Sequence, residues 1–164
     1  MIAERLHWQP GVPPVAVIGV GNILLSDEGI GVHVIRALTR RRLPRCIELV
    51  DGGTAGLALL EAMRHRRKVI IVDAVAVKAP PGAVFRWYPV GRESGTNLFH
   101  SAHTEGIQEL LYAGRALSDL PLVVCIGVVP RDAATPGIRL SRGLRRRLPA
   151  IADTVIREAL DRRL

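Results

Sequence analysis

Five short apolar runs, separated by stretches with helical periodicity, constrain the fold of this chain more than any other feature. VAVIGV (15–20), CIELVD (46–51), KVIIVDA (68–74) and PLVVCIGVV (121–129) are rich in branched aliphatic residues, whereas AVFRWYPV (83–90) is more mixed. A continuous apolar run of this length is typical of a strand buried on both faces of a parallel sheet. We therefore expect five strands, with the mixed one near an edge of the sheet.

The segments between these runs predict helices. Apolar residues recur at helical spacing after Ser26 and Thr54, and both side chains are suited to capping a helix. A last helix is expected from about Pro149, since proline is favoured in a first turn. Strands that alternate with helices predict an α/β protein: a three-layer αβα sandwich on an open, five-stranded, mostly parallel twisted sheet. Residues 15–164 would form this single domain, preceded by a flexible arm over residues 1–14.

Composition excludes several classes of function. The net charge of +8 comes mainly from arginine clusters near predicted helix ends, and with only 4% aromatic residues we expect no nucleic-acid partner. No apolar run approaches the roughly 20 residues that cross a bilayer. The first residues lack a secretory signal, so a cytoplasmic location is expected. We interpret Cys46 and Cys125 as small buried core residues.

Polar residues follow the predicted strands at the points where these end. Glu28 comes shortly after the first, Asp51 and Asp73 close the second and third, and His103 precedes a helix. The carboxyl ends of parallel strands meet at one edge, where such sheets bind ligands. Glu28, Asp73 and His103 would offer two carboxylates and an imidazole to a divalent ion such as Zn²⁺ or Ni²⁺, with His100 as a weaker candidate. Asp51 would orient a ligand or act as a general base.

The glycine-rich segment GVGNILLSDEGIG admits a different interpretation. It follows a strand as a dinucleotide-binding loop does, which would suit a nucleotide-binding enzyme of Rossmann type. Against this, Leu24 replaces the third glycine and the acidic pair Asp27 and Glu28 stands where phosphate would approach. The glycines are also explained by a tight strand-to-helix turn, and Gly52 and Gly53 would let a peptide approach the backbone.

The segments GVGNILLSDEGIGVHVI, ELVDGGTAGLALL, VIIVDAV, HSAHTEGIQELL and VVCIGVVP together resemble the hydrogenase maturation protease family over about residues 15–160. The resemblance implies an endopeptidase that trims a C-terminal extension from the large-subunit precursor of a [NiFe] hydrogenase after nickel insertion. The family's metal-contacting residues map onto Glu28, Asp73 and His103, and the aspartate of its D-G-G-T motif maps onto Asp51.

The same resemblance implies that the relevant metal is the nickel of the precursor, for which zinc or cadmium could substitute. Gly52, Gly53 and Thr54 would bind the substrate, and the protein would act as a monomer. One departure concerns the residues after the fifth strand, where Pro130 is followed by Arg131 rather than by an acidic or amide residue. The remaining alternative is a non-catalytic chaperone or assembly partner for the metal centre, with the same ligands but no cleavage.

Overall fold

Four parallel strands and one antiparallel edge strand form the frame of the molecule. The computed structural model describes residues 11–89 and 121–161. The strands are β1 (Val15–Val20), β2 (Ile47–Gly53), β3 (Lys68–Ala74), β4 (Val84–Trp87) and β5 (Leu122–Val128). They are ordered β2-β1-β3-β5-β4, and only β4 runs antiparallel to its neighbour. The predicted fold class and the edge position of the mixed run are confirmed.

Helices cover both faces of this sheet. The described helices are a 3₁₀ turn (Ser26–Gly29) that leads into α1 (Ile30–Leu38), a second 3₁₀ turn (Gly56–Ala58) that leads into α2 (Leu59–Met63), and α3 (Arg142–Leu160). Alternate strand residues point to opposite faces: Val17 and Ile70 pack with α1 and α3, whereas Ile18 and Ile71 pack with α2. None of the helices in the described ranges is long and apolar enough to span a bilayer.

The predicted helix starts at Ser26 and Thr54 need correction. Leu25 precedes the first 3₁₀ turn, and the Ser26 side chain caps nothing. Ser26 has a φ of 51° and its hydroxyl donates to the carbonyl oxygen of Thr135 at 2.9 Å. The Ser26 hydroxyl therefore makes a tertiary hydrogen bond and not the helix cap that the sequence predicted. Thr54 lies in a turn ahead of the second 3₁₀ turn, so it does not open a helix.

The last helix begins earlier than the sequence predicted. It starts at Arg142, and the hydroxyl of Ser141 caps it by accepting a hydrogen bond from the Leu144 N–H. Pro149 is therefore inside α3 and not in its first turn. Without an N–H, Pro149 cannot bond the carbonyl of Arg145. The first two turns are so rich in exposed arginine that apolar periodicity, which located the second half of the helix, does not reveal them.

The two cysteines differ in environment. Cys125 is buried in the core beneath α2, as predicted. Cys46 is exposed, so its assignment to the core was wrong. It lies just before β2, which is an edge strand, and its carbonyl oxygen accepts a hydrogen bond from the Val15 N–H.

Buried charges of opposite sign occupy opposite ends of the sheet. At the amino-terminal end, the Lys68 ammonium lies 2.7 Å from both the carboxylate and the backbone carbonyl oxygen of Glu158. Burial alone would raise the pKa of Glu158, but hydrogen bonds from Arg86 and Lys68 lower it overall. The buried acids Asp27, Glu28 and Asp73 all lie at or near the carboxyl ends of β1 and β3. The basic end is thus closed by partners within the chain, and the acidic end is where the predicted site lies.

Candidate active site

Two buried carboxylates, Glu28 and Asp73, lie at the same end of two adjacent strands. Glu28 is only 6% exposed and belongs to the 3₁₀ turn that follows β1, and Asp73 is 4% exposed near the end of β3. Because β1 and β3 pair in parallel, their carboxyl ends meet at one edge of the sheet. The 3₁₀ turn also packs directly against β3. The structure therefore brings both predicted carboxylates to one rim.

Close backbone contacts hold the 3₁₀ turn in this position. A Cβ atom at Gly31 would clash with the carbonyl oxygen of Val72, the residue before Asp73, and one at Gly19 would clash with the carbonyl oxygen of Gly31. The start of α1 thus presses against β1 and β3 at once. The glycines serve the tight strand-to-helix turn, and in doing so they keep Glu28 against the end of β3.

Within the loop between β1 and α1, a backbone N–H group donates a hydrogen bond to the carboxylate of Glu28. The Asn22 N–H donates to Glu28 Oε2 at 2.5 Å, and Asn22 Oδ1 accepts from the Leu24 N–H at 2.9 Å. Gly21 has a φ of +140°, and a Cβ there would clash with the Glu28 carbonyl oxygen. A dinucleotide-binding loop leaves such N–H groups for a phosphate. Here a protein carboxylate accepts the bond, which disfavours the Rossmann-type interpretation.

The charge of Asp73 helps to keep the nearby thiol of Cys125 protonated. Asp73 Oδ1 accepts a hydrogen bond from the Ala74 N–H at 2.8 Å. Burial, together with the nearby charge of Asp73, raises the pKa of the Cys125 thiol. A thiol that stays protonated is a poor nucleophile. Cys125 is therefore not a candidate for the attacking group.

Asp51 lies at the same edge but apart from the two buried acids. Its side chain is 49% exposed, it accepts a hydrogen bond from the Gly53 N–H at 3.2 Å, and it lies 3.8 Å from Arg36 of α1. Asp51 therefore faces the α1 side of the sheet, whereas Asp73 faces the α2 side with Cys125. Strand β1 lies between them, so their backbones are roughly 10 Å apart. The structure does not place Asp51 beside Asp73.

The other predicted site residues have different surroundings. Gly52 is buried and faces Ile18 and Leu59, whereas Gly53, with a φ of +47°, and the exposed Thr54 lie at the surface of the rim. His103 and His100 lie outside the described residues. Among residues 11–89 and 121–161, no group of three or more His, Cys, Asp or Glu side chains is arranged to hold a metal ion.

Asp27 is a residue whose role the sequence analysis missed. Its side chain is 0% exposed. Oδ2 accepts hydrogen bonds from the N–H groups of Arg131 and Asp132 at 3.0 and 3.2 Å, and Oδ1 accepts from the Ser141 N–H at 2.6 Å. Asp27 therefore bonds to residues 131–141, whereas the adjacent Glu28 accepts a hydrogen bond from the Asn22 N–H. The pair itself was the available signal, since consecutive side chains in a turn seldom face the same partner.

Further hydrogen bonds tie the segment before Glu28 to residues 131–141, which we call the rim loop. The Ser26 N–H donates to the Gly137 carbonyl oxygen at 2.7 Å, and the Gly137 N–H donates to the Leu24 carbonyl oxygen at 2.9 Å. Together with Asp27, these bonds fix the rim loop against the turn that carries Glu28. A preformed arrangement of this kind costs little ordering when a partner binds.

His33 lies in α1, one turn beyond Glu28. Its Nε2 atom is buried and has no hydrogen-bond partner within the described part of the chain. Burial and the charge of Arg36 lower the pKa of His33, and the charge of Asp27 only partly opposes them. The imidazole is therefore neutral at pH 7.

The fold and the rim define an α/β protein whose candidate chemistry depends on acidic side chains at strand ends. A family model described as hydrogenase maturation protease matches residues 32–158. This range contains Asp51, Asp73 and His103 and begins just after Glu28. The chain therefore belongs to the hydrogenase maturation protease family, and it is an enzyme of the hydrogenase maturation endopeptidase class.

Individual relatives agree with this assignment. The hydrogenase 2 maturation protease of Escherichia coli (strain K12) is 40% identical over 133 residues, or 77% of this chain and 79% of the relative. The hydrogenase maturating endopeptidase HybD from E. coli matches with a TM-score of 0.77 at 35% identity, covering 88% of this chain and 90% of that one. The hydrogenase 2 maturation peptidase from a Thaumarchaeota archaeon matches with a TM-score of 0.69 at 30% identity, covering 88% and 96%.

Proposed function

We propose that this endopeptidase removes the C-terminal extension from the large-subunit precursor of a [NiFe] hydrogenase after nickel insertion, and that it recognises the nickel already seated there. The observation that carries the proposal is the burial of Glu28 and Asp73 at one rim of the sheet. Carboxylate oxygens that are held at one edge of a sheet can bind a divalent ion. Nickel held by the precursor is such an ion.

In this proposal the nickel belongs to the substrate. Glu28 and Asp73 contact it through carboxylate oxygens, and His103 adds an imidazole nitrogen, the ligand type that suits nickel among divalent ions. Zinc or cadmium would take its place in the same donor set. The protein would act as a monomer in the cytoplasm, on a protein partner and not on nucleic acid.

The position of Asp51 favours nickel as a recognition tag over nickel as a Lewis acid. The backbones of Asp51 and Asp73 are roughly 10 Å apart, a distance that about three extended residues cover, so a scissile bond beside Asp51 need not lie next to the nickel. Asp51 is exposed and can accept a proton from a water molecule as the water oxygen attacks the carbonyl carbon. Gly53 and Thr54, which follow Asp51 at the surface of the rim, would contact the substrate backbone.

Two substitutions separate these roles. Nickel-loaded and nickel-free precursor from the same genome are incubated with the wild type, Glu28→Gln and Asp51→Asn, and cleavage is followed by mass spectrometry and binding by calorimetry. We expect Asp51→Asn to bind loaded precursor as the wild type does and to release no peptide. Glu28→Gln should lose the preference for loaded over empty precursor.

Three results would contradict the proposal. Equal cleavage of loaded and empty precursor by the wild type would remove nickel recognition. Normal cleavage by Asp51→Asn would remove Asp51 from the chemistry. Tight binding without loss of a C-terminal peptide would instead establish the non-catalytic chaperone.

A further inference from the structure

The rim loop and the segment before Glu28 present two exposed apolar side chains. Leu24 is 60% exposed and Ile138 is 67% exposed, the highest values among the large hydrophobic residues that the structure describes as exposed. An isolated parallel bridge between Leu25 and Gly137 joins the two segments. Leu24 and Ile138 therefore flank a single bridge, and Leu24 lies four residues before Glu28. Single exposed apolar side chains are common on protein surfaces, but two that flank one bridge beside a candidate site can be covered together by one partner.

The same loop carries positive charge. The rim loop has two arginines, Arg131 and Arg139, against one acid, Asp132, and Arg142 follows it as the first residue of α3. All three arginines are exposed, and none forms an ion pair with an acid in the described ranges. The carboxylate of Asp132 is turned to the backbone N–H groups of Thr135 and Ala134, which lower its pKa. Asp132 keeps its negative charge, and the three arginines outnumber it, so this stretch is basic overall.

We propose that Leu24, Ile138, Arg131 and Arg139 form a docking surface, the rim surface, for an apolar segment flanked by acidic residues on the large-subunit precursor. The inference rests on the proposed function and adds the place and chemistry of recognition outside the metal contact. Charge complementarity selects this occupant, because a basic surface with an apolar centre attracts acidic partners and repels other basic surfaces. The hydrogen bonds of Asp27, Ser26 and Gly137 hold the surface in its binding form beforehand.

The apolar part is tested by the double variant Leu24→Ser/Ile138→Ser on nickel-loaded precursor. Full burial of such a side chain is worth about 1.5–3 kcal/mol, and every 1.4 kcal/mol is tenfold in affinity. We expect KM to rise at least about tenfold while kcat stays at the wild-type value. The matched control is Leu160→Ser, which removes an exposed leucine (47%) at the far end of α3. Thermal unfolding of each variant verifies that the fold is retained.

The basic part is tested by charge reversal. Arg139→Glu should raise KM and weaken its dependence on salt, because long-range attraction is screened over about 8–10 Å at 0.1–0.15 M salt. Arg42→Glu, an equal change of charge beyond the far end of α1, should leave KM and its salt dependence closer to the wild type.

The outcomes distinguish this surface from the proposed function. If the wild type fails to cleave loaded precursor, both proposals are wrong. If the wild type cleaves but Leu24→Ser/Ile138→Ser keeps the wild-type KM, the docking surface is wrong and the proposed function stands. A rise in KM for Leu160→Ser as large as for the double variant would also overturn the surface.

Discussion

Replacing Asp27 by asparagine tests whether its carboxylate holds the rim loop to the site. Both oxygens of Asp27 accept backbone N–H groups, one from Ser141 and two from Arg131 and Asp132. The asparagine side chain has nearly the same volume but only one oxygen. Its NH₂ group must therefore face an N–H donor, whichever way the amide is turned.

The cheaper orientation leaves the Ser141 N–H without an acceptor. A buried group left in this state costs about 1–3 kcal/mol, and each of the two remaining bonds loses about 1 kcal/mol when its acceptor is no longer charged. We expect the free energy of unfolding to fall by about 3–5 kcal/mol. For a chain of this size the corresponding fall in Tm is about 6–20 °C.

Urea denaturation followed by circular dichroism measures this change in the free energy of unfolding. The m-value should stay the same if only stability is altered. Asp153→Asn is the matched control, since Asp153 is 56% exposed and pairs with Arg41 on the surface. Such pairs are worth about 0–1 kcal/mol. A loss below about 1 kcal/mol for Asp27→Asn would refute the idea that this carboxylate latches the rim loop.

Two further predictions concern α1. The pKa of folded His33 lies below the ordinary value of 6.5, so the unfolded chain takes up a proton more readily, and the free energy of unfolding should fall as the pH drops from 7 through 6.5. In chemical denaturation, His33→Gln should show a smaller fall in the free energy of unfolding over this pH range, and an identical fall would contradict this account. Gly31→Ala should destabilise the protein by about 3 kcal/mol or more, as overpacking does, because the new Cβ would clash with the Val72 carbonyl oxygen. The control Gly143→Ala, whose new Cβ meets nothing within 4 Å, should be neutral or stabilising. Equal denaturation midpoints for the two variants would show that α1 does not need the glycine.

The sequence predicted the sheet well because its strands carry their own signal. β3 is buried at every residue, and an apolar run of this kind can be read without knowing its neighbours. The carboxyl-end rule then placed Glu28 and Asp73 at one rim, which the structure bears out for these two positions. His103 lies outside the described residues, so its position remains a prediction from the sequence.

Other features could not be predicted because they depend on distant partners. Ser26 resembles a helix cap in sequence, yet its hydroxyl bonds to Thr135, 109 residues away. Asp27 bonds to residues more than 100 positions further along the chain. The sequence also could not predict the face of the sheet to which Asp51 points. It placed Asp51 at the correct edge, but only the pairing with Gly19 and the contact with Arg36 show that the side chain lies on the α1 face.

Strand β3 links the buried Lys68–Glu158 ion pair to the candidate site. β3 begins with buried Lys68, which Glu158 neutralises from α3, and carries buried Asp73 near its other end. α3 in turn begins next to Ser141, whose N–H is held by Asp27 beside Glu28. The sheet and α3 therefore hold Asp73 and the turn that carries Glu28 from two directions, so both acids are in place before a partner binds. Under the proposed function this preorganisation would favour a loaded precursor, since a flexible pair of acids could turn to solvent and accept an empty one as readily.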